Sequence, residues 1–441
     1  MTAETIWREL LEADRETWIA GIPDFRDRLR AARICFGDRQ LCNHLRPKFL
    51  TETEYSDLVL VSEAVLAGIM QAKDRLLADP ILMDMLGVRE DEKPLIAIDP
   101  GYAHIAPCVR LDSFITADGP QFVELNGECP AGPAYGYRLA QNFEAHPLMQ
   151  AFKQRVPCRP IDTLRPLLDT LLSCYREWGG TKRPTIGIID YDYLPTVHEF
   201  ELCREYFVNE GYDCVVADPR HLEYDGERLV GGGKQIDLVY KRVLVNEFIE
   251  KTDEVAPLHD AFRDRKVCMV NPFRSKLVHK KAIFAVLTSD GRDEWMGKEQ
   301  QTLIDRAVPW TRNVREGKTR IEGREVDLIP YLAQHRDDFV LKPNDEYGGK
   351  GITIGWEANE TAWEQALNAA LKGDFVAQRR LYMVGEAFPS MLDGLSWGQL
   401  FVDLDPYMYL GHMHGALARL GVGSLCNVTS GGGQVPLFIT S

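Results

Sequence analysis

The sequence predicts a mixed α/β fold with a helical N-terminal region, on three observations. Apolar residues recur three to four apart through WRELLEADRETW, FRDRLRAARICF and SDLVLVSEAVLAGIMQAKDRLLAD, so the first ~90 residues read as helices. TIGIIDYD, HEFELCREYFVNEG and DCVVADP alternate strand, helix, strand, which is the pattern of a parallel βαβ unit. Two other stretches, 109–126 and 339–354, are short apolar runs joined by polar turns, as in antiparallel strand pairs.

Taken in order, Pro94 begins a change of texture. LIAIDP, CVRLDSFI and QFVELN read as strands, the last two joined by the turn ADGP, and one helix is expected from about Tyr135 to Arg155. In the α/β stretch, TIGIIDYD (185–192) is a buried strand and the helix after it ends at Gly211. LEYDGERLV is a small hairpin around Asp225-Gly226, and IDLVYKRVL is a further strand. VCMVNPF and the helix SKLVHKKAIFAVL follow, and 288–325 reads as charged and irregular. The chain closes with the strand pair at 339–354, a helix at TAWEQALNAALKG, a strand at FVAQRRL and a mixed region ending SGGGQVPLFITS. No internal repeat, low-complexity tract or flexible linker is evident. The expected division is a helical region at 1–93, a first core part with candidate metal-binding strands at 94–160, an α/β substrate-type domain at 161–275, and a second core part with glycine-rich loops at 276–441.

The 441 residues suggest two to three domains. With 51 basic and 66 acidic residues the net charge is −15, which argues against nonspecific binding of nucleic acid or an anionic membrane. No apolar run reads as long enough to span a bilayer, and the N-terminus lacks the basic start and apolar core of a signal peptide. The ten cysteines include no CxxC pair and read as reduced, mostly buried thiols, so a cytoplasmic location is expected. Cys35, Cys42 and His44 match no common zinc spacing. The oligomeric state is not legible.

Chemistry concentrates in two segments. Arg110 and Asp112 alternate on one strand and Glu124 and Asn126 on the next, so each pair projects from one sheet face. If the turn at Asp118–Pro120 pairs these strands, a guanidinium, two carboxylates and an amide converge. Such a set is costly to bury with nothing between, and Mg²⁺ would supply the missing partner. The segment also fits a solvent-facing strand pair with ordinary charges. The second segment, FVLKPNDEYGGKGITI, puts Lys342, Asp345, Glu346, Gly348, Gly349, Lys350 and Gly351 on one turn. A surface hairpin needs only one or two special residues. Several glycines instead suit a loop whose backbone N–H groups approach phosphate oxygens, although a polar surface hairpin fits too.

Together the two segments resemble the ATP-grasp ligases, in particular glutathionylspermidine synthetase and the eukaryotic-type glutathione synthetases. R-x-D, followed twelve residues after its Asp by E-x-N in ELNGECPAG, resembles the family's substrate-arginine and magnesium strand pair, and VLKPNDEYGGKG resembles its nucleotide lysine and glycine loop. The order implies the circularly permuted arrangement, because the lysine strand follows the acid–asparagine pair by over two hundred residues. The resemblance covers roughly residues 95–441 and implies an ATP-grasp core, circularly permuted, with an inserted parallel α/β substrate domain. It implies ATP and Mg²⁺ as cofactors, with Asp112, Glu124, Asn126 and Glu346 as candidate metal ligands. Lys342, Lys281 (with Lys280 as the alternative), Tyr347, Gly348, Gly349, Gln378 and Arg379 would bind the nucleotide. Arg110 and Arg419 would be catalytic, and Arg242 and Gly432, in the lid segment Gly431–Gly433, would bind substrate. The chain departs from the family at Gly127-Glu128-Cys129-Pro130, where many relatives carry an acid and threonines, and it has no room for an N-terminal papain-like amidase.

The implied function is ATP-dependent ligation of a small-molecule carboxylate to an amine through an acyl phosphate, with peptide-like or polyamine-like amines among the candidate acceptors. A different nucleophile on the same fold is the near alternative. A non-catalytic nucleotide-binding homologue or scaffold is the distant one. No histidine base is required, and His104, His412 and His414 read as structural.

Overall fold

The computed structural model describes residues 1–78, 80–346, 348–423 and 433–441. Helices α1 (Ala3–Ala13), α2 (Arg15–Ala31) and α3 (Glu52–Ala78) form the N-terminal region. Trp7, Leu11, Phe25 and Leu29 of the first two pack into the main core. Helix α3 corrects the expectation that no apolar run could span a bilayer: by length and composition it is long and apolar enough. Leu58, Val61, Val65, Ile69 and Leu76 are nevertheless buried in the protein core, so its hydrophobicity is used in packing.

The two polar strands pair as their alternation predicts. β1 (Cys108–Thr116) and β2 (Gly119–Asn126) are antiparallel, with Arg110 opposite Asn126 and Asp112 opposite Glu124. The reversal rests on Gly119, whose φ of +103° is in the region that favours glycine. The single helix expected from Tyr135 to Arg155 is two, Pro133–Glu144 and Pro147–Lys153. Pro147 has no N–H to continue the first helix but suits the first position of the second.

A parallel sheet follows. It comprises β3 (Ile186–Ile189), β4 (Cys214–Ala217), β5 (Leu238–Lys241) and β6 (Cys268–Val270), in the order β6-β5-β3-β4. The four strands are almost entirely apolar, as expected for strands covered on both faces. Their carboxyl ends deliver Asp190, Asp218, Arg242 and Asn271.

The segment 288–325, expected to be irregular, contains a helix at Lys298–Ala307, a short strand β7 (Thr311–Asn313) and one strand of a hairpin, Lys318–Ile321. The helix KEQQTLIDRA has little apolar character, yet Ile304 and Ala307 suffice to seat it against the core beside α3. β8 (Phe339–Pro343), β9 (Thr353–Ile354) and β10 (Phe375–Arg379) complete a small antiparallel sheet in the order β7-β10-β8-β9. Phe339 and Leu341 enter this lobe's own core with Trp363 and Leu367, while Val340 and Lys342 face the opposite side.

The final region is mostly strand. β11 (Gly385–Ser390), β12 (Ser396–Tyr409), β13 (His412–Gly421) and β14 (Gly433–Val435) join the polar pair in the order β14-β13-β12-β1-β2. β12 pairs with β11 along its first part and β1 along its second. Gly433, expected in a lid, is strand. β15 (Leu437–Thr440) runs parallel to Lys48–Thr51 and antiparallel to Cys158–Pro160, between the two.

Candidate functional site

Arg110 and Asp112 lie on one face of β1 and bond to each other. Arg110 Nε and Nη2 donate to the two Asp112 oxygens at 2.8 and 2.9 Å. Asn126 Nδ2 donates to Asp112 Oδ1 at 2.9 Å, and Arg419 Nη2, from β13, to Oδ2 at 2.8 Å. Burial alone would raise the Asp112 carboxyl, but Arg110 and Arg419 hold it well below the usual carboxylate range. Each Asp112 oxygen already accepts two hydrogen bonds, so this residue orients Arg110, Asn126 and Arg419. Asn126, with its nitrogen committed, retains Oδ1 as an acceptor.

Two acids that the sequence reading missed complete the cluster. Arg419 Nη2 also lies 2.6 Å from Asp403 Oδ2 and 2.8 Å from Asp405 Oδ2. Three buried carboxylates thus face two guanidiniums, and burial raises the Asp403 and Asp405 carboxyls. Their signal was the D-x-D alternation in FVDLDPY, the same one-face pattern that marked Arg110 and Asp112.

Across an open cleft, β8 and β10 supply the facing wall, with Lys342, Gln378 and Arg379 among its lining residues. Lys342 Nζ donates to Gln378 Oε1 at 2.7 Å, and Gln378 Nε2 donates to Thr311 Oγ1 at 3.1 Å. Gln378 is therefore engaged in holding Lys342, not free to read a base. Arg379 pairs with Glu322 at 2.7 Å toward solvent. Burial pushes the Lys342 ammonium down to about 8, against the opposing pull of Glu124. Of the two lysine alternatives, Lys281 is the one at the cleft. Its Nζ lies 3.6 Å from Glu124 Oε2 and donates to the Glu346 carbonyl at 2.5 Å. Lys280 turns to Glu92 and Asp345. The Glu346 carboxylate pairs with exposed Lys350 at 3.3 Å, so that residue reaches the site through its backbone. Gly348 and Gly349 line the cleft, with φ of +65° and +79°. Farther along, Val340, Ile352, Ile354, Trp356, Leu381 and Met383 form an apolar wall.

No family model and no curated protein sequence matches this chain. A solved structure does. The fold is shared with a glutathione synthetase-like effector. That structure, from Globodera pallida in its apo form, matches 97% of this chain and 98% of its own, with a TM-score of 0.62 and 13% sequence identity. A protein from Methylobacillus flagellatus KT, provisionally assigned as a gamma-glutamylcysteine synthetase, covers 89% of each chain at a TM-score of 0.43 and 11% identity.

Next to the cleft a second, open cavity shares Arg110, Asn126, Gly348 and Arg419 as walls and adds Arg242 and Asp190 from the ends of β5 and β3. Carbonyls of the ECPAG loop aim both outer guanidiniums: Pro130 O accepts from Arg242 Nη1 at 2.8 Å and Ala131 O from Arg110 Nη1 at 2.7 Å. Burial raises Asp190 to about 7 despite Arg242. Tyr347, Gly431 and Gly432 lie outside the described residues.

The donor set fits a magnesium-bound triphosphate. Glu124 and Asn126 Oδ1 are the hard oxygen ligands Mg²⁺ prefers, and Lys342 and Lys281 stand beside them. Arg419 Nε and Asp403 Oδ1 are buried without a hydrogen-bond partner among the described residues, which suits a site completed by a ligand.

Proposed function

We propose that this chain is an ATP-dependent carboxylate–amine ligase of the permuted ATP-grasp type, acting on small molecules in the cytoplasm. The observation that carries the reading is convergence: Arg110, Glu124, Asn126 and Lys342 line one cleft although Glu124 and Lys342 are far apart in the chain. The shared fold with a glutathione synthetase-like protein supports the class of chemistry but names no substrate.

In this reading Glu124 and Asn126 hold Mg²⁺, which neutralises phosphate charge when bound. Lys342 and Lys281 place cations on phosphate oxygens, and the Gly348–Gly349 backbone approaches them without a Cβ in the way. The apolar wall from Val340 to Met383 takes the base. Arg110 and Arg419 stabilise the transferring phosphoryl group and the oxyanion of the acyl phosphate, with Asp112, Asp403 and Asp405 fixing their positions. Arg242 holds a substrate carboxylate in the second cavity, from which an amine attacks the acyl phosphate and displaces inorganic phosphate.

The deciding experiment measures ADP release from Mg·ATP across a panel of carboxylates and amines, with mass analysis of products. A carboxylate- and amine-dependent burst of ADP with an amide product is expected. Nucleotide binding with no turnover on a broad panel would favour the scaffold alternative, and absence of nucleotide binding would end the reading.

A further inference from the structure

A buried charge network lies behind the metal strand, and none of the roles assigned above uses it. Lys276 Nζ donates to Asp345 Oδ1 at 2.6 Å and to Glu128 Oε1 at 2.9 Å. Lys280 Nζ bonds Asp345 Oδ2 at 3.2 Å and Glu92 at 3.0 Å. Lys276, Lys280, Glu128 and Glu92 are almost wholly buried, while Asp345 retains some exposure at the start of the glycine loop. The other Glu128 oxygen accepts from the Val245 backbone N–H at 2.6 Å. That amide begins the helix Val245–Glu250. It stands three residues after Arg242, and the adjacent Leu244 and Glu247 line the second cavity. A continuous path therefore runs from the glycine loop through Asp345, Lys276 and Glu128 to the backbone that presents Arg242.

Removing one member of such a path is not neutral. Without the ammonium, ligand oxygens of Glu128 and Asp345, within 4.8 Å of each other, would face one another as like charges in a dry site. Asp345, at the loop end, is the least buried member. The glycines that follow Asp345 permit a different loop path, and in that path Lys276 would keep Glu128 alone.

We propose that Lys276 is a positioning residue that couples the glycine loop to the second cavity: seating Asp345 on Lys276 fixes Glu128, and Glu128 fixes the turn carrying Arg242. The inference rests on the proposed function only in taking the glycine loop as the element that nucleotide orders. It follows that binding in the first cleft prepares the second.

Hydrogen exchange of the full-length protein, with and without Mg·AMPPNP, tests the coupling without knowledge of the substrate. In the unaltered protein, exchange should slow both in 345–352 and in 243–250. Lys276→Met should retain the slowing in 345–352 and lose it in 243–250, and Lys276→Arg, which keeps the charge, should restore part of it. Asp345→Asn leaves the Lys276–Glu128 pair intact. It should reproduce the loss even if Lys276→Met fails to fold. Slowing in 243–250 that survives in Asp345→Asn or in a folded Lys276→Met overturns the coupling, as does slowing confined to 345–352 in the unaltered protein. No slowing in either segment would instead remove the nucleotide reading, and the coupling with it.

Discussion

Lys342 is buried beside an amide oxygen, with no carboxylate in direct contact among the described residues, and this sets a pH signature. Its folded pKa of about 8 lies below the ordinary value of 10.5. Between those values the unfolded chain holds a proton that the folded chain has released, so stability rises with pH across that window. Below pH 8 the full cost of the buried ammonium is present, about 3 kcal/mol at 1.36 kcal/mol per unit. Lys342→Met should therefore stabilise the fold at pH 7 in urea unfolding while weakening Mg·ATP binding by about 1–3 kcal/mol. Phosphate beside the lysine should pull its proton back. Calorimetry in buffers of different ionisation enthalpy should then show uptake of roughly half a proton at pH 8. Unchanged ATP affinity in a folded mutant, with no proton uptake, would return the 339–354 segment to a plain hairpin. Asp190 has the opposite sign. Its carboxyl, raised to about 7 by burial, costs stability above pH 7, and the cost fades as pH falls toward 4. Asp190→Asn should raise stability at pH 8, by at most about 4 kcal/mol, and leave it nearly unchanged at pH 4. Equal effects at both pH values would show that the charge is irrelevant there. Glu124 and Arg110 were legible because alternation on a strand fixes which side chains share a face, and Lys342 because the glycine-rich stretch that follows it resembles a nucleotide-binding loop. Asp190 was not, since an acid after a buried strand has no local partner in sequence: Arg242 reaches it only through the parallel pairing of β3 with β5.

At the scale of elements, the small lobe depends on a turn that only glycine fits. A Cβ on Gly355 would lie 2.6 Å from the Phe339 carbonyl oxygen and closer still to that of Arg336, and both are backbone atoms that cannot swing aside. Gly355→Ala should thus cost at least about 3 kcal/mol, at the upper end of overpacking penalties. Exchange in 339–343 should accelerate before that in the parallel sheet, because the lobe has a core of its own. Uniform acceleration everywhere would mean the lobe does not open by itself. The elements missed in the sequence share a cause. The helix at 298–307 presents so few apolar residues that its periodicity hides among charges, yet tertiary contact with α3 decides it. The break at Pro147 was written in the sequence, but helical texture on both sides concealed it. β12 and β13 read as a mixed region because they lie in the core, where polar residues such as Asp403 and Asp405 interrupt the apolar run and find their partners on neighbouring strands, Arg419 on β13 and the Ser113 N–H on β1.

For the whole molecule, the cleft is walled by two separate sheets, so a ligand between them should act as a clamp. Mg·ATP at 100 times its Kd should add about 2.7 kcal/mol to stability, and Glu124→Ala should shrink that gain. A melting temperature indifferent to Mg·ATP would argue that the cleft does not hold nucleotide. The three-stranded sheet formed by Lys48–Thr51, Cys158–Pro160 and Leu437–Thr440 bears on how the protein is made. Its middle strand is the last to be synthesised. During translation the two outer strands leave the ribosome long before their partner exists, the earlier one by about 390 residues, or about 20–80 s at ordinary elongation rates. For that interval the nascent chain carries unpaired strand edges, which invite pairing with other chains. A stop codon placed before Leu437 would make that exposure permanent, and release of the shortened chain should yield aggregate even though both cavities lie upstream of the cut.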